Sequence, residues 1–320
     1  MDFIFNSDEK LEDRMKRYEK LIDSKITIKP NESYIIRLDG RSFSKFTKKF
    51  VKPFDLVFIK AMCMTMRDLV DEFDVQTGYT HSDEITLIFS AKCTELEETE
   101  YIKSLEINSQ TVGKNKSKQL PIHMFRGRIQ KILSLVSSYC SVRFNYHLSN
   151  LIEPIKTNYD SKFIELIKSH QQMFDSRIMI FEEKIKHEIL NHQIWRSIRD
   201  CERNAISTYA YTYFGPKKIM YKSSEQIKQI MKYEKNLDWD LQIPIFIKHG
   251  VYCKKNLVQK EINGLFVLRT NYVFKEMKIN FSQDNLDLLL SKYWNSFNKD
   301  SGEIIDLRLG NILNLETINL

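Results

Sequence analysis

The stretch "YIIRLDGRSFSKF", Tyr34 to Phe46, decides how this chain is read. A tyrosine and two isoleucines lead into Arg37 and Leu38, a composition suited to a buried strand. Asp39 stands where the apolar run ends, and Gly40, serines and the cations Arg41 and Lys45 follow. Asp-Gly is a common turn dipeptide, and a surface turn would account for it if the stretch stood alone. The segments around it make a turn insufficient.

Downstream, "FDLVFIKAMCMTMRDLVDEF" (54–73) is apolar nearly all round, which predicts a helix buried against a sheet. "GYTHSDEITLIFS" (78–90) holds two strand-like runs meeting at a polar corner, His81 to Glu84, the pattern of a hairpin. "FRGRIQKILSLVSSYCSVRF" (125–144) is amphipathic, with Ile129, Leu133, Val136 and Cys140 on one helical face. "SRIMIFEE" (176–183) returns as a strand. Residues 33–182 therefore spell β-α-β-β-α-β, an α+β arrangement in which an antiparallel sheet carries two helices on one face. Around this frame, Leu11, Met15, Tyr18 and Leu21 predict a helix from Leu11 to Ile22. "AKCTELEETEYIKSLEIN" (91–108) is readable as helical, and the lysines at 114, 116 and 118 mark an exposed loop.

Beyond residue 182, "KIKHEILNHQIWRSIRDCERNAISTYAYTYF" (184–214) reads as one long helix. In α-helical phase Arg196, Asp200, Arg203 and Ser207 share a stripe opposite Ile194, Ile198, Cys201 and Ala205. Such a stripe, with Asn204 beside it, is expected to face water, a second subunit or an RNA backbone, and Trp195 is expected in the core. Ser223 with Gln226 predicts a capped helix, and "EINGLFVLRTNYVF" a hairpin turning at Asn263-Gly264. The tail from Asp284 reads as a helix with an irregular end. The expected division is a catalytic unit over 1–182 and a helical and hairpin region over 183–320 for RNA binding and subunit contact.

In this topology the first strand and the central hairpin are sheet neighbours, so Asp39 reaches the same edge as Asp83 and Glu84. Clustered carboxylates repel and are tolerated where cations sit between them. Magnesium prefers hard oxygen ligands with room for phosphate oxygens, and two such ions roughly 4 Å apart suit in-line phosphoryl displacement. Gly40 lets the backbone approach a ligand. The amides of Arg41, Ser42, Phe43 and Ser44 can then face a triphosphate, with Arg41 and Lys45 supplying charge. Arg128 and Lys131, three apart near a helix start, suit phosphate oxygens; a solvated basic face explains them equally well in isolation.

The bulk numbers agree with this and exclude other classes. At 320 residues, 42% hydrophobic and 28% charged, the chain can bury a sizeable core, and its net charge of +7 hints only weakly at polyanions. The N-terminus resembles no signal or transit peptide, and no apolar run approaches membrane-spanning length. Five widely spaced cysteines without a CxxC pair argue against a disulfide framework or a zinc site, so a cytoplasmic, reduced protein is expected. HExxH, GxSxG and GxxxxGK[ST] are absent.

The ordered set "IRLDGRSFSKFTKKFVKPFD", "GYTHSDEITLIFS" and "FRGRIQKILSLVSS" resembles the tRNA-His guanylyltransferase family, and "WRSIRDCERNAIS" with "IPIFIKHGVYCKK" looks like its second half. The resemblance spans roughly residues 8–275. It implies a palm-like domain that adds nucleotides to an RNA 5′ end in the 3′-to-5′ direction, on tRNA, after ATP activates a 5′-monophosphate. Carried over by motif, Asp39 and Asp83 would hold two magnesium ions with the carbonyl of Gly40. Residues Asp39 to Ser44 with Ser82 and Asp83 would line a GTP, ATP or other nucleotide. Glu84, Arg128 and Lys131 fall on positions that look functional in the family, and a homotetramer is implied. "CERNAIS" stands where the tRNA-His-specific branch carries an "HINNLYN"-like segment. That resembles the guanylyltransferase-like branch, which implies templated repair of truncated tRNA 5′ ends. Two other readings remain at this stage. One is a palm-fold nucleotide cyclase or forward polymerase, against which the corner "HSDE" counts. The other is a catalytically inactive RNA-binding protein, against which the intact acids count.

Overall fold

The structure is a computed structural model of the chain, and it describes residues 27–109, 120–298, 301, 303–306 and 309–316. The expected helix from Leu11 to Ile22 and the lysine loop at 114–118 lie outside the described residues.

Strand β1 (Ser33–Gly40) is flanked on one side by β4 (Phe174–Phe181) and on the other by β3 (Glu84–Phe89), which forms a hairpin with β2 (Thr77–His81). All these pairings are antiparallel. Tyr34, Ile36 and Leu38 alternate with Ile35, Arg37 and Asp39, so β1 presents different chemistry to its two sides. One side packs under α1 (Leu56–Glu72) and α3 (Ile129–Ile152), in a core that includes Met66, Leu87 and Phe144. Between them in sequence lies α2 (Glu95–Ser109), the expected acidic helix. Asp55 caps α1 through the amides of Val57 and Phe58, and α4 (Ser161–Lys168) adds Phe163 and Ile167 to the same core.

The opposite side, which the sequence left without a partner, is covered by α5 (Glu188–Ile194) and α8 (Gln283–Leu290). Ile35, Tyr79 and Ile88 are buried there with Ile189, Leu286 and Trp294. Burial on both sides explains why β1 and β3 read as near-continuous apolar runs.

The sheet does not stop at residue 182. Strand β5 (Val251–Ile262) pairs with β2 through Gly78↔Cys253 and Thr80↔Val251, and β6 (Leu265–Glu276) returns along it from the Asn263-Gly264 turn. The hairpin is thus longer than its sequence signature and begins at Val251. The tail is also more ordered than expected. After α8, β7 (Asn295–Asn298) and β8 (Glu303–Asp306) pair with each other, and β9 (Asn311–Ile312) adds to the edge of β6. Trp294 anchors it, fully buried beneath the ammonium groups of Lys254 and Lys275.

The long helix of 184–214 is interrupted. After α5 the chain runs as a π-helical segment, Trp195–Asp200, before α6 (Cys201–Phe214) resumes α geometry. Buried residues keep α-helical spacing across it, from Ile189 and Gln193 to Arg196 and Asp200. Helix α7 (Ser224–Lys235) carries the expected capping box at Ser223 and Gln226.

Candidate active site

Asp39 and Asp83 meet at one edge of the sheet. The amide of Gly40 donates to the Asp83 carbonyl at 3.1 Å, closing β1 against the hairpin corner. Ser82 holds that corner at φ 51, in the left-handed region, and its hydroxyl donates to the Asp83 carboxylate at 3.0 Å. Burial pushes the Asp83 carboxyl above its usual range, and the nearby charge of Asp39 adds to the rise. Among the described residues no lysine or arginine pairs with Asp83. Register places Glu84 and Asp175 directly opposite Asp39 on its two flanking strands, so three carboxylates line the edge in a row. Asp175 escaped the sequence reading, since it opens β4 without any motif around it.

One step inward the sign reverses. The Arg37 guanidinium donates to Asp39 Oδ2 at 2.9 Å and also to Glu84 Oε1. The second Glu84 oxygen meets Arg196, whose other arm reaches Asp200 at 2.7 Å. Arg203 pairs with the far oxygen of Asp200. The His81 imidazole first, then Arg196 and Arg203, hold the Asp200 carboxyl well below the usual carboxylate range. His81 itself is pulled down by burial. His81, Glu84 and Asp200 bring ligand atoms within 4.8 Å of one another, but the Arg196 fork already neutralises both acids. That group is an ion-pair network with its own cation.

These contacts correct two expectations. Arg196 and Asp200 do not face water, a subunit or RNA: they are 3% and 7% exposed, on the helical face of the buried Ile189 and Gln193. Of that stripe, Arg203 is exposed, with Asn204 beside it. Trp195, expected in the core, is 49% exposed, on the side away from that face. Glu84 is clamped between two guanidinium groups.

The loop after Asp39 is built around Phe43. A Cβ on Gly40 would lie 2.4 Å from the Phe43 ring, so glycine is what lets the ring fold back under the strand end. Phe43 packs there against Phe46, Phe144 and Phe174 and serves as the anchor of the loop. The amide of Arg41, expected to face phosphate, instead donates to the Met173 carbonyl at 2.9 Å. Ser42 is left-handed at φ 60 and precedes the single helical turn Phe43–Phe46, which holds Ser44 and Lys45. A cavity of about 270 Å³ lies beside this loop, lined by Arg41, Ser42, Lys45 and Lys49. A second, of about 150 Å³, opens at the hairpin corner between Ser82, Lys52, Phe54, Asn204 and Thr208. Asn204 thus enters a cavity wall shared by both halves of the chain. Arg128 and Lys131 stand at the start of α3, tied to their own turn: Arg128 Nε donates to the Phe125 carbonyl at 3.3 Å, and Lys131 Nζ lies 5.1 Å over the Phe125 ring.

Similarity to known proteins converges on one group. The family model described as tRNAHis guanylyltransferase matches residues 12–182. An uncharacterised protein of Acanthamoeba polyphaga mimivirus is 40% identical over 89% of this chain and 91% of its own length. The tRNA(His) guanylyltransferase of Debaryomyces hansenii is 23% identical over 87% of this chain and 95% of its own. Among solved structures, a bacterial tRNA(His) guanylyltransferase-like protein in complex with ATP superposes with a TM-score of 0.63 at 22% identity, covering 88% of this chain and 99% of that one. The Saccharomyces cerevisiae enzyme gives a TM-score of 0.51 over 79% of this chain and 95% of its own.

Proposed function

The chain belongs to the tRNA-His guanylyltransferase family, a family of nucleotidyltransferases, and from that premise we propose that it adds nucleotides to a tRNA 5′ end in the 3′-to-5′ direction, with two magnesium ions at the Asp39–Asp83 edge. The observation that carries the proposal is the charge deficit there. Asp83 is a half-buried acid, raised in proton affinity by burial and by Asp39, with Ser82 as its side-chain partner. An arrangement that resists its own ionisation suits a divalent cation. Asp39, Asp83 and the Gly40 carbonyl would hold the ions, and bound magnesium there supplies charge stabilisation for the attacking and leaving oxygens of a displacement.

The residues around the edge divide the remaining work. Arg41 and Lys45 line the larger cavity and offer charge to a polyphosphate. Lys131 and Arg128 are the next cations along the helical side. The smaller cavity beside Ser82 takes a base, between the apolar wall of Phe54 and the polar Asn204 and Thr208. In the first reaction a 5′-monophosphate attacks the α-phosphorus of ATP and pyrophosphate leaves. In the second, the 3′-hydroxyl of an incoming nucleotide attacks the activated 5′-phosphorus and AMP leaves. The segment "CERNAIS" supports templated repair of truncated tRNA over strict addition of G to tRNA-His.

Full-length tRNA-His and a tRNA lacking its first nucleotide, each with magnesium, ATP and one nucleotide triphosphate at a time, test this by 5′-end length on a gel. Template-matched extension of the shortened tRNA is expected. RNA binding without incorporation under all conditions would refute the proposal.

A further inference from the structure

We infer that Arg196 is a positioning residue for Asp39, acting through Glu84 and Arg37, so that the helix segment carrying Arg196 sets how the edge carboxylate is presented to a cation. This rests on the two-ion reading of the edge.

Six side chains form an unbroken ladder of alternating charge. It runs from Arg203, with 67% of its side chain exposed, through Asp200, Arg196, Glu84 and Arg37 to Asp39. One nitrogen of Arg37 serves both Asp39 and Glu84, so its hold on Asp39 depends on how firmly Glu84 is engaged from the other side. That engagement is Arg196, which forks between Glu84 and Asp200. The ladder has little slack. The Nε atoms of Arg37 and Arg196 are buried without partners, so the terminal nitrogens alone carry the hydrogen bonds and ion pairs of each guanidinium. With Oδ2 taken by Arg37, Oδ1 is the Asp39 oxygen left to hold a cation on the two-ion reading. Arg196 reaches Glu84 from the buried helical face that it shares with Ile189, Gln193 and Asp200.

A lysine at position 196 keeps the charge but cannot fork between two carboxylates. The charge-conserving Arg196→Lys therefore separates geometry from simple electrostatics. The test is Mn²⁺ binding to the full chain, followed by the spin-resonance signal of the free ion, for wild type, D39A, R196K and D200N. Wild type is expected to bind and D39A to lose the site. R196K is expected to melt within a few degrees of wild type and to need about tenfold more Mn²⁺ for half-saturation, the range typical of groups that orient a ligand from behind. D200N removes one of the two carboxylates between which Arg196 forks, so Arg196 is no longer fixed against Glu84, as in R196K. Its half-saturation is expected to rise as well, and it decides the matter if R196K fails to fold. Wild-type Mn²⁺ binding in a folded R196K, or in D200N where R196K does not fold, overturns the inference while leaving the two-ion reading intact. Equal binding by wild type and D39A overturns the reading itself, and the inference with it.

Discussion

Gly40→Ala isolates the hinge between the fold and the proposed chemistry. The added methyl would meet Phe43 Cγ, Cδ2 and Cδ1 at 2.4, 2.5 and 2.7 Å. Ordinary carbon contacts begin near 3.5 Å, so the ring has to retreat by about 1 Å. The rings of Phe46, Phe144 and Phe174, with centroids at 5.4, 5.4 and 5.0 Å, block its retreat except on the side that lines the neighbouring cavity. Overpacking of this kind costs about 1–3 kcal/mol. The φ of Gly40 is not left-handed, so alanine adds no backbone strain and gains roughly 0.4–1 kcal/mol by restricting the unfolded chain. The net expectation is a loss of about 1–2 kcal/mol, a melting temperature lower by about 2–4 °C.

The activity effect should be larger than the stability effect. Phe43 anchors the loop that carries Arg41 and Ser42, and a shift of about 1 Å at a substrate-positioning loop costs on the order of 10²-fold in rate. Single-turnover incorporation and thermal melts on the same preparation read both. The double variant Gly40→Ala/Phe43→Leu supplies the critical comparison, because a smaller side chain removes the collision. The double variant should be at least about 1 kcal/mol more stable than the sum of the single losses. Strict additivity, or a Gly40→Ala enzyme of normal rate, would refute the account of this glycine.

Asp83→Asn removes a charge that burial and Asp39 both disfavour, so its melting temperature should hold or rise while incorporation falls by on the order of 10²–10³, equivalent to several kcal/mol of lost charge stabilisation; a folded variant of normal rate would remove Asp83 from the site. His123 and His192 are lowered to about 4 from 6.5, chiefly by burial, so the unfolded chain binds the extra protons as pH falls between those values. Stability should therefore be full above pH 6.5 and decline towards pH 4, by up to about 3 kcal/mol for each histidine, and His123→Gln should flatten part of that slope in urea titrations across the range. Asp68 accepts from Arg67, Arg143 and His147 between α1 and α3, away from the edge. Asp68→Ala leaves the buried His147 and the half-exposed Arg67 and Arg143 without their acceptor and should cost about 1–3 kcal/mol, with incorporation per folded molecule unchanged; a cost under about 0.5 kcal/mol in the same titrations would contradict it.

The palm-like frame was legible because each of its elements is long, apolar on its buried side and bounded by turn chemistry. Asp39 and Asp83 were legible as a pair because topology alone carries both to one edge. What failed to show was whatever depended on helical phase. Arg196 and Asp200 are charged and four apart, so they look like an outer stripe, yet they continue the buried face of Ile189 and Gln193, and the Glu84 that pairs with Arg196 there lies far along the chain. Trp195 failed for the same reason with the opposite sign. The tail failed differently. Its short strands are polar, and their order comes from Trp294 and its two lysines, contacts that bridge distant segments. The Arg41 amide looked available only because its acceptor, Met173, lies far along the chain.

The same geometry explains why acids are tolerated at the mouth of the core. Cross-strand neighbours lie roughly 5 Å apart, where two like charges at an effective dielectric near 20 repel by about 3 kcal/mol. Asp175, Asp39 and Glu84 in a row would therefore cost several kcal/mol if left alone. The row behind them supplies Arg37 against Asp39 and Glu84, and Arg196 against Glu84 and Asp200. Arg203 closes the inner end, and Arg177 lies 3.9 Å from Asp175 at the outer one. Every carboxylate of the cluster then has a guanidinium except Asp83. The uncompensated charge is not spread over the edge but concentrated on the one acid that the hairpin corner holds beside Asp39. A cluster built only for stability would have placed a fifth cation there; leaving that position to a diffusible ion is what the proposed two-magnesium edge requires.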